Sequence, residues 1–297
     1  MNRTMTAERV AWRPARPMWQ TNLLRVVRGN LIGAIGGIIV ALLVIVAVLA
    51  PLIATHDQFA LAGKERLVKP SGAHYFGTDD LGRDVFSRVV YGARLSLWVG
   101  FVSVTVGVIT GTAIGLASAY FRGPVDFWLQ RVVDAFFAFP TIILALAIVS
   151  VLGPSITNVI IAVGITSMPR IARVVRSSAL SVMAQPYIEA ARATGCGDLR
   201  MMMQHVLPNC LAPIIILATA GFGGAILAEA SLSFLGVGTP PPEPSWGAML
   251  SGAAQRYIRV APWLAIFPGI AISLAVFGFN LFGDALRDVF DPRLRGR

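Results

Sequence analysis

The chain is 297 residues long, 56% hydrophobic and only 13% charged, with a net charge of +10 and a mean hydropathy of +0.70. Soluble domains carry about 25% charged residues, so this composition excludes an ordinary soluble fold, and several uncharged runs exceed the roughly 20 residues that a bilayer crossing needs. The basic residues are scattered between apolar runs without aromatic interleaving, so they are read as orienting the chain in a membrane rather than as a nucleic-acid surface.

The expected architecture is an all-α integral membrane protein with six transmembrane helices. Span 1 covers residues 31–54, "LIGAIGGIIVALLVIVAVLAPLIA". It is longer than the roughly 7–15 apolar residues of a signal peptide and reads as an uncleaved anchor behind an N-terminal segment, 1–30. A long, charge-balanced segment follows. Its end, "DVFSRVVYGA", has apolar residues at helical spacing and predicts a short helix on the membrane surface. Span 2 covers 95–121, where Ser103, Gly107, Gly111, Gly115 and Ala119 recur every four residues. Such a stripe lets another helix approach closely in lipid. The uncharged stretch 135–169 is too long for one span and is broken by "GPS" at 153–155, a turn signal, giving span 3 at 135–152 and span 4 at 155–169. Span 5 covers 211–235 and span 6 covers 261–283, followed by a tail, 285–297. Pro140 and Pro268 fall inside spans 3 and 6, where neighbouring helices can satisfy the freed carbonyls.

Six spans place both termini on one side. Seventeen basic residues lie in the N-terminal segment, the 2–3 and 4–5 loops and the tail, against eight in the remaining loops. The positive-inside rule makes the first set cytoplasmic. The opposite face carries the 55–94 segment and the proline-rich "GVGTPPPEPSWGAMLSGAAQRYIRV", where Trp246 and Trp263 are read as interfacial anchors. These loops either receive a partner or plug the protein.

No GxxxxGK[ST], GxSxG, HExxH or GxGxxG pattern occurs, so no catalytic residue is assigned and no ATP hydrolysis is expected of this chain. Cys196 and Cys210 form no CxxC pair. None of His56, His74 and His205 has a second ligand at metal spacing, and no metal site is expected. Glu229 is the one ionisable group deep in a span. An intramembrane acid either serves a transport path or is held by hydrogen bonds to a neighbouring helix.

The connection 170–210 is far longer than a helix–helix link requires. "QPYIEAARATG" predicts a helix that stops at Gly195. Asp198 is expected to cap a second helix, "LRMMMQHV", that ends before Pro208. Exposed Glu189 and Arg192 make this elbow either a docking surface or a solvated loop.

"EAARATG" with "HVLP" resembles the EAA loop of ABC importer permeases, in which EAA is followed after three residues by G and after nine more by I-x-LP. Glu189, Ala190, Ala191, Gly195, Leu207 and Pro208 match, while His205 stands at the isoleucine position. "HYFGTDDLGRDVFSRVVYGARLSL", "SLSFLGVGTPPPEPSWGAML" and "FNLFGDALRDVFDPRLRG" further resemble the second permease subunit of the dipeptide/oligopeptide/nickel branch, from about residue 20 to the end. The resemblance implies the type I importer permease fold in a bacterial cytoplasmic membrane, paired with a second homologous permease. Two ATPase subunits would hold ATP and magnesium, this chain would bind no cofactor, and an extracytoplasmic binding protein would deliver the solute. The named residues of the EAA loop would dock a coupling helix in an ATPase cleft. Di- and oligopeptides, glutathione and nickel chelates are all carried within that branch. The alternative, a self-contained secondary transporter, has against it the single intramembrane acid and the lack of a visible inverted repeat.

Overall fold

The computed structural model describes residues 31–290, which are mostly helical with no extended strand among them. The expectations for residues 1–30 and for the end of the tail lie outside the described residues. Helix α1 is Leu31–Val48, and a short α2, Ala50–Ile53, follows after one turn residue. Then come α3, Val85–Phe121; α4, Gly123–Phe137; α5, Thr141–Leu152; and α6, Ile156–Met183. The short α7, Pro186–Ala193, precedes α8, Asp198–Phe234. Two short helices, α9 (Trp246–Leu250) and α10 (Ala253–Tyr257), lead to α11, Trp263–Phe290.

Five of these helices are long and apolar enough to cross a membrane, and the bent pair α4–α5 makes a sixth candidate. Helix packing decides that the pair does cross. A Cβ on Gly107 would meet Gly164 and Ser167, one on Gly111 would meet Met168 and Ile171, and one on Gly115 would meet Ala172 and Val175. Residue numbers rise together along this contact, so α3 and α6 run parallel, and the chain must cross back between them. On the other side, Gly36 approaches Leu281 while Gly278 approaches Ile39, and Gly223 approaches Val276 while Gly283 approaches Ala220. Both α1 and α8 are therefore antiparallel to α11. Six crossings follow.

The small-residue stripe of α3 is buried throughout and forms this seam with α6. Without a hydrophobic drive between helices in lipid, dispersion at close backbone approach holds such a pair. At the end of the seam, Arg176 of α6 holds Asp126 of α4 in a bidentate ion pair at 2.7 and 2.5 Å. Asp126 also accepts a hydrogen bond from Ser118 of α3.

Several boundaries differ from the sequence reading. Residues 85–94 are not a separate surface helix. They are the first turns of α3, 37 residues long, or about 55 Å at 1.5 Å per residue. Asp84 starts this helix by accepting from the Ser87 N–H at 2.7 Å, a carboxylate N-cap. Pro140 lies within the third crossing, at the break between α4 and α5, which bend by 94°. It has no N–H to continue α4 and disfavours helical backbone at the residue before it. Helix α6 runs through Pro169 to Met183, so the long 170–210 connection begins as helix. The tail keeps its helix to Phe290.

Trp246 and Trp263 are not interfacial anchors. Both are buried, as the first residues of α9 and α11, at the end of the bundle opposite α7. Trp246 donates from its ring to the Val89 carbonyl at 2.9 Å, and Trp263 to the Thr78 carbonyl at 3.1 Å. Buried indoles need such acceptors. This loop end also contains buried Arg88, whose guanidinium donates to the carbonyls of Gln58 and Pro242 and so ties the two long loops together.

Candidate functional site

Helix α7 lies at the other end of the bundle, beyond the α3–α6 seam. It begins at Pro186, a favoured first-turn residue because the missing N–H has no partner there anyway. It ends at Thr194 in a turn where the Gly195 N–H donates to the Arg192 carbonyl and the Cys196 N–H to the Ala191 carbonyl. These two bonds make a Schellman motif, and Gly195, at φ +82°, occupies its left-handed position. A residue with a Cβ adopts that backbone only at a cost.

Beyond the turn the chain does not make a second short helix. Asp198 opens α8 with no side-chain cap bond, Gly197 being the cap residue, and Asp198 Oδ1 accepts instead from the Tyr120 hydroxyl at 2.6 Å. The helix then passes Pro208 without ending. Residues Met201–Val206 form a π turn in which the Leu207 N–H reaches back to the Met202 carbonyl. A proline inside an α-helix removes a hydrogen bond and clashes with the carbonyl four residues before it. Widening the preceding turn gives the ring room, and the Asn209 side chain donates to the His205 carbonyl at 2.7 Å. The elbow is thus one short helix, a glycine turn and the first turns of the fifth crossing.

Three contacts missed in the sequence hold the elbow in place. Ile188 is 2% exposed and packs with Met201, Val206, Cys210, Val175 and Ala179 in one apolar cluster. The Tyr187 hydroxyl accepts from Asn209 at 3.1 Å. The Tyr120–Asp198 bond fixes α8 to the end of α3. Ile188 carries a readable signal, being the one large aliphatic residue in "PYIEAARA". The hydroxyl contacts bridge 22 and 78 positions and leave no local signature.

The opposite face of α7 is open. Glu189, Ala190, Arg192 and Gly195 are exposed, Ala191 and Leu207 are half-buried, and Pro208 is exposed. Leu199 and Met203 at the head of α8 are also exposed, at 71% and 52%. Small side chains on the exposed helix, one acid, one base and two bare apolar residues make a surface that fits a groove in another protein.

Glu229 is elsewhere, about 30 Å from Pro208 along α8 at 1.5 Å per residue. It is wholly buried. Ser96 of α3 donates to its Oε2 at 3.2 Å, and Ser233, one turn on, donates to Oε1 at 2.8 Å. Ser233 in turn accepts from the Thr239 N–H at 3.1 Å, which folds the proline-rich loop back onto α8. Between the two ends, α4–α6 and α8 leave a cleft of about 310 Å³ lined by residues such as Phe136, Phe139, Thr166, Ser167, Gly221 and Gly224.

Residues 104–296 match the family described as binding-protein-dependent transport system inner membrane component. The dipeptide transport system permease protein DppC of Alkalihalophilus pseudofirmus is 47% identical, covering 90% of this chain and 87% of the relative. A putative peptide transport system permease of Brucella suis is also 47% identical, with 88% of both chains covered. The glutathione transport system permease protein GsiD of Pectobacterium atrosepticum is 42% identical over 94% of this chain and 93% of its own. Among solved structures, the methionine ABC transporter MetNI in inward-facing form superposes with a TM-score of 0.56 at 21% identity, covering 68% of this chain and 96% of that one. At that identity the likeness concerns the fold alone.

Proposed function

The chain belongs to the family of binding-protein-dependent transport system inner membrane components and is a permease subunit of an ABC importer; from this premise we propose that it carries short peptides or peptide-like solutes such as glutathione. As a multi-pass inner-membrane component it works with another permease, an ATPase and a binding protein. Our finer reading is a heterodimer with a non-identical permease, driven by two ATPase subunits that hold ATP and magnesium. The names of the relatives at 42–47% identity support the solute class. The open face of α7, anchored from behind by Ile188, supports the elbow as the ATPase-docking element. The cleft lined by α4–α6 and α8 then faces the partner permease across the path. The test is reconstitution of the complex with its binding protein in liposomes. ATP-dependent uptake of labelled dipeptides or glutathione is expected, and uptake driven by an ion gradient without ATP would replace this reading with a secondary transporter.

The elbow end is cytoplasmic in this reading, with both termini on that side. With Cys196 replaced by serine, a cysteine at Ser71, exposed in the loop end, is expected to react with an impermeant thiol reagent in intact cells. A cysteine at Ser181, exposed near the end of α6, is expected to react only after permeabilisation. The reverse pattern overturns the orientation.

Glu229 serves in this reading as a polar clasp joining α3, α8 and the proline-rich loop. Glu229→Gln keeps an acceptor and adds a donor that a serine hydroxyl can accept, so near-normal yield and uptake are expected. Glu229→Leu removes the acceptor of the Ser96 and Ser233 hydroxyls, at about 1–3 kcal/mol for each buried donor, and should lower both yield and Tm. Uptake lost in Glu229→Gln with assembly intact would instead place the carboxylate on the transport path.

A further inference from the structure

The loop end gathers two histidines that the sequence separates by 18 positions. His56 lies just after α2, and His74 lies in the loop before α3. Their rings stack with centroids 4.7 Å apart and planes 30° from parallel. Both turn Nδ1 toward one oxygen, Asp84 Oδ1, at 2.9 Å from His74 and 3.8 Å from His56. One donor atom from each of the three residues lies within 4.8 Å of the others. The absence of metal ligands expected from sequence spacing is therefore not what the fold presents.

We propose that His56, His74 and Asp84 bind a divalent transition cation of the zinc class at the loop end of the bundle. Ligand atoms about 2.0–2.1 Å from a tetrahedral zinc are separated by about 3.3 Å, which the 2.9 and 3.8 Å separations bracket. Two imidazole nitrogens and one carboxylate oxygen form a borderline donor set that suits zinc better than magnesium or calcium, which prefer oxygen alone. Three protein ligands leave a fourth position open.

The surroundings are built for such a site. A ligating histidine commonly gives its second ring N–H to a carboxylate, which orients the ring. His74 Nε2 faces Glu65 Oε2 at 3.3 Å. The Asp84 carboxyl is 1% exposed and the His74 side chain 9%. Asp84 divides its two oxygens: Oδ2 caps α3 through the Ser87 N–H, and Oδ1 faces the imidazoles. The backbone on both sides is also fixed, since the His56 N–H donates to Ser87 Oγ at 3.0 Å and the His74 N–H to Ser71 Oγ at 3.2 Å. His56 is 40% exposed, and its Nδ1 lies 3.0 Å from the Thr55 hydroxyl, a contact that the cation would displace on binding. A bound cation joins the end of the first crossing, the loop and the start of the second crossing at one point.

The full chain, purified with its partner subunits in detergent and stripped with EDTA, is titrated with zinc chloride against a fluorescent zinc chelator. Binding of one zinc per wild-type chain is expected, with a rise in Tm. His56→Gln is the decisive variant, because its ring is the most exposed of the three and its loss should not prevent folding. It should lose that zinc and the accompanying Tm rise. Glu65→Gln should weaken binding by about 10–100-fold through the orientation of His74. His205→Gln, at the opposite end of the bundle, should bind as wild type does. No zinc bound by the wild-type complex beyond that bound by His56→Gln, or equal affinity in the two, overturns the proposal.

Discussion

Replacing Gly195 with valine is expected to cut substrate-stimulated ATP hydrolysis and uptake in the reconstituted importer by about 5–150-fold while leaving the amount of assembled complex close to wild type. Nothing lies within 4 Å of a Cβ built on Gly195, so no side-chain clash is created. The cost is confined to the backbone. At φ +82° a β-branched residue is strained by about 1–3 kcal/mol. The cheapest release is to open the Schellman turn, which swings α7 away from the position set by Ile188. If docking on the ATPase needs that position, the same free energy weakens coupling by about 5–150-fold. Gly195→Asn, which tolerates left-handed backbone, should recover most of the activity, a result that a merely structural loop would not require. Glu189→Lys should also uncouple, by reversing an exposed charge on the docking face. The measurement is ATPase rate with and without solute-loaded binding protein. Wild-type stimulation in both Gly195→Val and Glu189→Lys would mean that the elbow is only a connection.

The second large effect is expected at the seam between α3 and α6. Gly115→Val should remove nearly all folded protein. Its Cβ would lie 2.5 Å from the Ala172 carbonyl oxygen, 2.9 Å from Val175 Cβ and 3.0 Å from the Arg176 N–H nitrogen. Two of these are backbone atoms of a packed helix and cannot swing aside, so the helices must separate. Overpacking of this kind costs about 1–3 kcal/mol even where repacking is possible. Here it also pulls Arg176 from Asp126, which fastens the returning crossing. Gly224→Ala provides the control, because a Cβ there meets nothing within 4 Å. Monodisperse yield in detergent and Tm separate the two variants. A Gly115→Val chain with wild-type yield and Tm would show that the seam opens freely in the membrane.

The membrane class, the helical fold and the number of crossings were legible in the sequence, because a bilayer demands long uncharged helices and nothing else in a chain imitates them. The stripe from Ser103 to Ala119 was legible for a related reason: close packing in lipid needs small residues at a fixed helical interval. Gly195 was also legible, since a turn with positive φ selects glycine locally. The sequence could not separate a helix that ends at proline from one that widens and continues past Pro208. Local rules favour an end there, and only the contacts of Ile188, Cys210 and Val206 in a shared cluster make continuation the better packing. The two tryptophans were misplaced because membrane-interface and buried-loop indoles look alike until their acceptors, the Val89 and Thr78 carbonyls, are brought near. His56, His74 and Asp84 acquire a shared purpose only in three dimensions. Ligand spacing in a sequence reports a site built on one element, whereas this one is assembled from three segments joined by the tertiary fold.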